Sequence, residues 1–355
     1  MKQTLKLSFE MTNTLSRIEH NGLKINTDTL EQIEKQYMDE MTMLETKLNR
    51  LAKNAMGDTP INLASPDDKS VLLYSRKVKD KSLWSLTFNL GHEMRGNTIK
   101  PKLRTRMKNK DFVQYVRRMT DIVYKTVGRQ CETCRGSGRI TPLKKDGSVG
   151  KAKRICKVCE GKGVVYTSTG EVAGFKLIPR TPRDTASAGF KTDKVTLEDR
   201  LSELSGDARE FCEAYVRYNA LRTYLSTFVE GMKNNVDDYN FIHPEFMQCV
   251  TATGRLSSRN PNFQNMPRGS TFAIRKVVES RFDDGFILEG DYSQLEFRVA
   301  GFLAKDNQVY EDVKKGTDVH SYTASIIGCS RQEAKAHTFK PLYGGVSGTQ
   351  SQQAY

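Results

Sequence analysis

FILEGDYSQLEFRVAGFLA, residues 286–304, changes its hydrophobic rhythm halfway along. Phe286-Ile287-Leu288 is a short apolar run with the look of a buried strand, and from Leu295 onward the apolar residues fall at helical spacing. Asp291 stands at the switch, where a carboxylate ending an apolar strand could hold Mg²⁺, and Glu296 follows five residues later. Further on, Arg331, Lys335, Phe339 and Tyr343 recur every four residues, a slowly drifting stripe of two cations and two aromatics on a helix. Two cations can clamp a triphosphate and an aromatic can cover a sugar or base, although such a stripe also fits a basic turn running into core packing.

Working outward, residues 8–55 read as helices around an Asn21-Gly22 turn, with Met11, Leu15, Ile18, Met41, Leu44, Leu48 and Leu51 as core positions. Val195 to Met232 repeats the period through Leu201, Leu204, Phe211, Tyr215, Leu221 and Leu225. The two segments together make one helical unit interrupted by an insertion, and the fold class is α+β.

The interruption is basic. Residues 76–180 hold 26 Lys and Arg against 8 Asp and Glu, a balance of +18, while the whole chain carries +14. A solvated face is the ordinary reading of a charge run; this imbalance instead favours a polyanion, because each neutralised phosphate releases condensed counterions. Within it, Cys131-x-x-Cys134-x-Gly-x-Gly138 and Cys156-x-x-Cys159-x-Gly-x-Gly163 repeat one pattern. Four thiolates on two knuckles are a structural zinc set; two disulfides are the alternative, in a chain with no sign of an oxidising compartment. Lys144, Lys145, Lys151, Lys153, Arg154 and Lys157 crowd the site and could meet phosphates, while Cys212, Cys249 and Cys329 read as small buried hydrophobes. Over about 33 residues the knuckles resemble the zinc region of type I J-domain co-chaperones, but the chain has no His-Pro-Asp loop.

With 355 residues, 37% hydrophobic and 28% charged, the chain is neither a collagen nor a disulfide mini-protein nor wholly disordered. It lacks a run of about 18 apolar residues and a signal peptide, so the expectation is no membrane partner and a cytoplasmic location.

TATGRLSSRNPNFQNMP (251–267), DYSQLEFRVAGFLA (291–304), DVHSYTA (318–324) and RQEAKAHTFKPLYGG (331–345) resemble, in order, the signature segments of family A DNA polymerases, the bacterial DNA polymerase I family and its phage relatives. RIEHNGLKIN (17–26) and YNALRTYLSTF (218–228) resemble that family's thumb. The resemblance implies thumb at 1–75 and 181–240, an insertion at 76–180 with its cysteine site at 131–163, a partial palm with antiparallel sheet at 241–305, and the start of helical fingers at 306–355. It implies nucleotidyl transfer from deoxynucleoside triphosphates to the primer end of a primer-template in DNA replication. Asp291, with the Tyr292 carbonyl, would bind two catalytic Mg²⁺ ions, and Glu296 near Tyr343 would exclude a ribose 2′-hydroxyl. Arg331, Lys335 and His320 would hold the triphosphate and Phe339 would stack near its sugar, while Arg255, Asn262, Gln264, Asn265 and Arg298 would contact DNA.

The family's second metal-binding acid sits in a His-Asp-Glu segment that does not occur in these 355 residues. The expectation is therefore a chain inactive alone and completed by a second polypeptide or by splicing, with any exonuclease on a separate protein. A phage source would place it in the host cytoplasm. Pro341 should kink the nucleotide-binding helix before Tyr343. The alternative is a non-catalytic, zinc-containing DNA-binding protein derived from a polymerase fragment.

Overall fold

A computed structural model describes residues 2–95, 98–141, 153–251, 253–267 and 271–342. Chain contacts divide it into two units, Met1–Asp283 and Asp284–Tyr355.

In the first unit, α1 (Lys2–Asn21) leads through the Gly22 turn into the 30-residue α2 (Thr27–Met56). Asn26 caps α2 by accepting from the Thr29 amide at 2.8 Å, and Asp28 lies in the positive first turn. Gly57 ends it at φ 75°, where a side chain would strain the backbone and meet the Thr126 carbonyl oxygen at 2.3 Å. After α3 (Pro66–Tyr74), α4 (Lys81–Thr87) and α5 (Asn109–Met119), the long α6 (Gly206–Tyr224) packs along α2. Arg217 fastens that packing with a fork, Nε and Nη2 donating to Glu40 Oε1 and Oε2 at 2.6 and 2.8 Å.

Both long helices pass through two apolar cores. Leu30, Ile33 and Tyr37 of α2 join Leu221 and Tyr224 of α6 with Phe272 and Ile274 in one, while Leu48, Leu51 and Met56 join Phe211 and Tyr215 in the other. The predicted period therefore finds real core positions, although Ile18, on a helix with little packed beside it, is exposed. The run from Val195 to Met232 is broken between Glu198 and Gly206 and widens to a π turn at Leu225–Val229.

The basic stretch does not stand apart. Its Trp84, Phe88, Phe112, Val116, Met119 and Leu177 are buried in the same core as Leu48, Leu51 and Phe211. Trp84 lies edge-on to Phe88 and Phe190 and donates from Nε1 to the Ala186 carbonyl at 3.0 Å. Trp84→Ala is expected to cost about 3–5 kcal/mol, because it opens a large cavity and removes the hydrogen bond to a half-buried carbonyl. Denaturant unfolding with hydrogen exchange checks the linkage: Leu48 and Phe211 amides should lose protection together with those of α5. β1 (Tyr124–Gln130) and β2 (Val164–Val172) carry the chain out into an antiparallel hairpin, with the cysteines at its far end.

Among the described residues every ladder has two strands, and within 241–305 the antiparallel pairing is one hairpin, Glu245–Met247 with Ser257–Arg259, beside Phe241–Ile242 on Leu23–Lys24. Residues 284–292 are not a strand: Phe286 is 85% and Leu288 87% exposed. A buried strand needs a neighbour to take its amides and carbonyls and cover its side chains, and no described strand pairs with this segment.

The second unit is helical. α7 (Leu295–Ala304) packs on α8 (Asn307–Lys314), and α9 (Val319–Ile327) packs on α10 (Arg331–Leu342), with Phe297, Val309 and Val319 as core and Val313 and Phe339 against them. No described helix is long and apolar enough to cross a membrane.

Candidate metal and nucleotide sites

The two knuckles at the hairpin end are related by local two-fold symmetry, with a 25-residue offset between equivalent positions. The Cys131 amide donates to Gly163 O at 2.8 Å and the Cys156 amide to Gly138 O at 2.9 Å. Gly138 N–H donates to Cys134 Sγ at 3.3 Å and Gly163 N–H to Cys159 Sγ at 3.2 Å. All four cysteines are buried, their sulfurs lie within 4.8 Å of one another, and Cys131–Cys156 and Cys134–Cys159 are 3.8 and 3.6 Å apart. Tetrahedral Zn–S bonds of about 2.3 Å put the sulfurs about 3.8 Å apart, whereas a disulfide needs about 2.05 Å, so the donor set fits zinc.

The spacing of the glycines now has a cause. A Cβ on Gly138 would meet Gly161 O at 2.2 Å and one on Gly163 would meet Gly136 O at 2.3 Å, both at positive φ. Gly138→Ala is therefore expected to weaken metal binding at least about tenfold, since backbone strain of about 1–3 kcal/mol falls on the ligand loop. Competition for zinc against a chromogenic chelator measures this. Burial and the Cys159 thiol beside it push the Cys134 thiol up, so binding as thiolate displaces protons and weakens as pH falls. Lys153, Arg154 and Lys157 are exposed around the knob; Lys144, Lys145 and Lys151 lie outside the described residues. Of the remaining cysteines only Cys212 is buried; Cys249 is exposed on the tip of a short hairpin and Cys329 is half-buried past the end of α9, sites that core packing does not reach.

That hairpin, Glu245–Met247 with Ser257–Arg259, carries the predicted DNA-contacting residues on its tip and the turn beyond. Arg255, Gln264 and Asn265 are exposed. Asn262 accepts from the Gln264 and Asn265 amides at 3.1 and 3.3 Å, so its carbonyl oxygen caps a turn.

In the second unit Asp291, Tyr292, Glu296 and Arg298 are exposed at the start of α7. Asp318, which the sequence reading passed over, joins three elements. Its Oδ1 accepts from Gln294 Nε2 at 3.4 Å, in the turn three residues after Asp291, and from the His320 amide at 3.1 Å at the start of α9. Its Oδ2 accepts from Arg331 Nε at 2.6 Å, in the first turn of α10. The signal available in sequence was an Asp immediately before a helical run, the mark of an N-cap. His320, expected among triphosphate ligands, is 5% exposed, with Nδ1 3.3 Å from Thr338 Oγ1 and its ring edge-on to Phe339 at 5.1 Å. Phe339 is half-buried in the same contact, while Arg331 is exposed and Lys335 half-exposed. α10 runs through Pro341 to Leu342, and Tyr343 lies outside the described residues.

The Arg331 guanidinium holds the Asp318 carboxyl well below the usual carboxylate range, with Ser321 adding to the effect. Burial lowers the His320 pKa from 6.5; Asp318 opposes this, and Arg331 and Lys335 reinforce it, which brings all three charges near one imidazole. A histidine with a depressed folded pKa gives stability present above its unfolded value and lost as pH falls through it, whereas the Asp318 contribution is lost only below about 3.8. This unit is expected to lose stability first as pH falls below about 6.5, and His320→Gln to flatten that step alone in a pH series of thermal melts.

Among the described residues the cysteines alone form a group of three or more metal-ligating side chains.

The model of DNA polymerase family A matches residues 173–354. The DNA polymerase I of Bacillus subtilis (strain 168) is 32% identical over 166 residues, covering 43% of this chain and 19% of that protein. That of Geobacillus stearothermophilus is 34% identical over 166 residues, with the same coverage. The matched segment thus spans about a fifth of the length of these relatives. A solved structure, the POL domain of Pol1 from M. smegmatis in complex with DNA primer-template and dNTP, is 21% identical, with a TM-score of 0.48, covering 94% of this chain and 41% of that one.

Proposed function

Because the chain belongs to DNA polymerase family A, we propose that it supplies the triphosphate clamp and a metal-binding carboxylate of a DNA-templated DNA polymerase, the second metal-binding acid lying outside these 355 residues. The observation that carries this reading is the Asp318 junction, which ties the turn after Asp291 to the cationic start of α10. Arg331 keeps Nε on Asp318 and offers its Nη donors to a phosphate, Lys335 lies one turn further on, and His320 and Phe339 set the helix that presents them. Glu296, in the first turn of α7, excludes a 2′-hydroxyl, and the amide side chains of Gln264 and Asn265 read the minor-groove acceptors shared by all correct pairs. Asp291 and the Tyr292 carbonyl would hold Mg²⁺, which would supply Lewis-acid polarisation of the α-phosphate and an acidified primer 3′-hydroxyl. In this reading 1–75 and 181–240 are thumb, 241–305 part of the palm and 306–355 the first part of the fingers. The exposure of Phe286 and Leu288 beside Asp291 fits a strand whose neighbour lies outside these 355 residues.

The cysteine knob holds structural zinc, and the +18 insertion adds electrostatic grip on DNA. Primer extension with Mg²⁺ and four deoxynucleotides, with and without the polypeptide that carries the missing acid, tests the proposal. Activity only from the pair supports it. Activity from this chain alone overturns the split metal site, and duplex binding without activity in either case favours the non-catalytic reading.

A further inference from the structure

KLRTRMKNK, residues 102–110, places a cation at every second position: Lys102, Arg104, Arg106, Lys108 and Lys110. Residues 102–108 have no helix or strand of their own; they are laid against the protein by their backbone and by the intervening residues. Asn89 Nδ2 donates to Leu103 O at 2.8 Å, Thr105 Oγ1 donates to Thr87 O at 2.7 Å, and Met107 packs on the core. Alternate side chains of an extended segment face opposite ways, so anchoring Thr105 and Met107 sends Arg106 and Lys108 outward. The chain then enters α5, whose Phe112, Val116 and Met119 are buried while Lys110, Gln114, Arg117 and Arg118 are exposed. Arg106, Lys108, Asp111, Gln114, Tyr115 and Arg118 border an open groove of about 740 Å³.

Residues 102–118 carry seven cations and one acid, +6 in 17 residues, the densest positive charge in the insertion. Elsewhere in this unit several cations are matched: Lys79 with Asp121, Lys81 with Asp67, Lys125 with Glu171, Arg200 with Asp184 and Arg217 with Glu40. Among the described residues no carboxylate forms an ion pair with any cation from Lys102 to Arg118. Fixing so many like charges on a rigid surface without counter-charges opposes folding, and a polyanion relieves it.

We propose that the 102–118 surface is a sequence-blind contact for the phosphate backbone of duplex DNA, outside the segment that matches the family. It rests on the reading that this chain handles primer-template, and it assigns the grip on the duplex to the body of the insertion instead of its cysteine knob. Duplex is favoured over single strand because the groove has no open stacking platform: Arg118 lies 4.8 Å over the ring of Tyr115, and Phe112 is buried.

The test is the salt dependence of binding by the full chain to a fluorescent duplex closed at both ends, so that no primer terminus is present. Arg106→Gln/Lys108→Gln/Arg118→Gln should reduce the slope of log K against log salt by about 2–3, near 0.9 per phosphate contact. Lys153→Gln/Arg154→Gln/Lys157→Gln on the knob should leave it unchanged, and thermal melts of both variants report folding. An unchanged slope in the groove variant, a loss in the knob variant instead, or an equal loss on a single-stranded oligonucleotide overturns the inference. If the unsubstituted chain binds neither this duplex nor primer-template, it is the polymerase reading that fails.

Discussion

Asp291→Asn, paired with the polypeptide that carries the second acid, is expected to extend primers at least about 10³-fold more slowly than the unsubstituted pair, equivalent to roughly 4 kcal/mol of transition-state stabilisation. The amide keeps the shape of the carboxylate and removes its charge, and Asp291 is the only carboxylate this chain is proposed to bring to the ions. Its side chain is exposed and outside the apolar core, so folding should be untouched. The loss should fall on kcat more than on KM for the nucleotide, because Arg331 and Lys335 remain to bind the triphosphate. Arg331→Ala should do the reverse, raising KM most, and it also releases Asp318 from its closest partner. Single-turnover extension separates the two, and a rate within tenfold of the unsubstituted pair for Asp291→Asn would remove this residue from the metal site.

The second large effect concerns the knob. The purified chain is expected to carry one zinc, and its removal by a mercurial with a chelator should unfold residues 131–163 while Trp84 and its neighbours keep their packing. The sulfurs have few apolar neighbours besides Ile140 and Val165, so little else holds the knuckles together. Structural zinc typically contributes about 10–16 kcal/mol of apparent binding energy to such modules. Cys131→Ser should release the metal with the same local outcome, visible as loss of peptide signals from the knob and retention of the tryptophan fluorescence maximum. Thiol titration of denatured, unreduced protein adds a direct count: all seven cysteines react if the four hold zinc, and three if they form two disulfides.

The sequence showed those features whose cause is local. Two Cys-x-x-Cys-x-Gly-x-Gly repeats marked the four cysteines that cluster because each knuckle is built within eight residues, and helical periodicity found Leu48, Leu51, Phe211 and Tyr215 because a long amphipathic helix needs no distant partner to be recognised. What it missed depends on distant neighbours. The strand at Phe286–Leu288 fails for want of a second strand, and nothing in its own residues says whether one is present. The surroundings of His320 are of the same kind: Thr338, eighteen residues away, takes the imidazole into a helix contact. Asp318 was quoted inside a motif without a role, since its link to Gln294 and Arg331 exists only once three helices have packed.

The sharing of one core by residues on both sides of the basic stretch also governs how this chain can change over evolutionary time. Losing residues 76–122 would strip Trp84, Phe88 and Phe112 from the faces of α2 and α6 and demand simultaneous replacements at Leu48, Leu51 and Phe211. Losing or exchanging the tip of the β1–β2 hairpin disturbs only the cysteine cluster and its few neighbours. Inherited variation in length should therefore accumulate between Gln130 and Val164, with relatives that lack the knob still retaining the aromatic body beneath it.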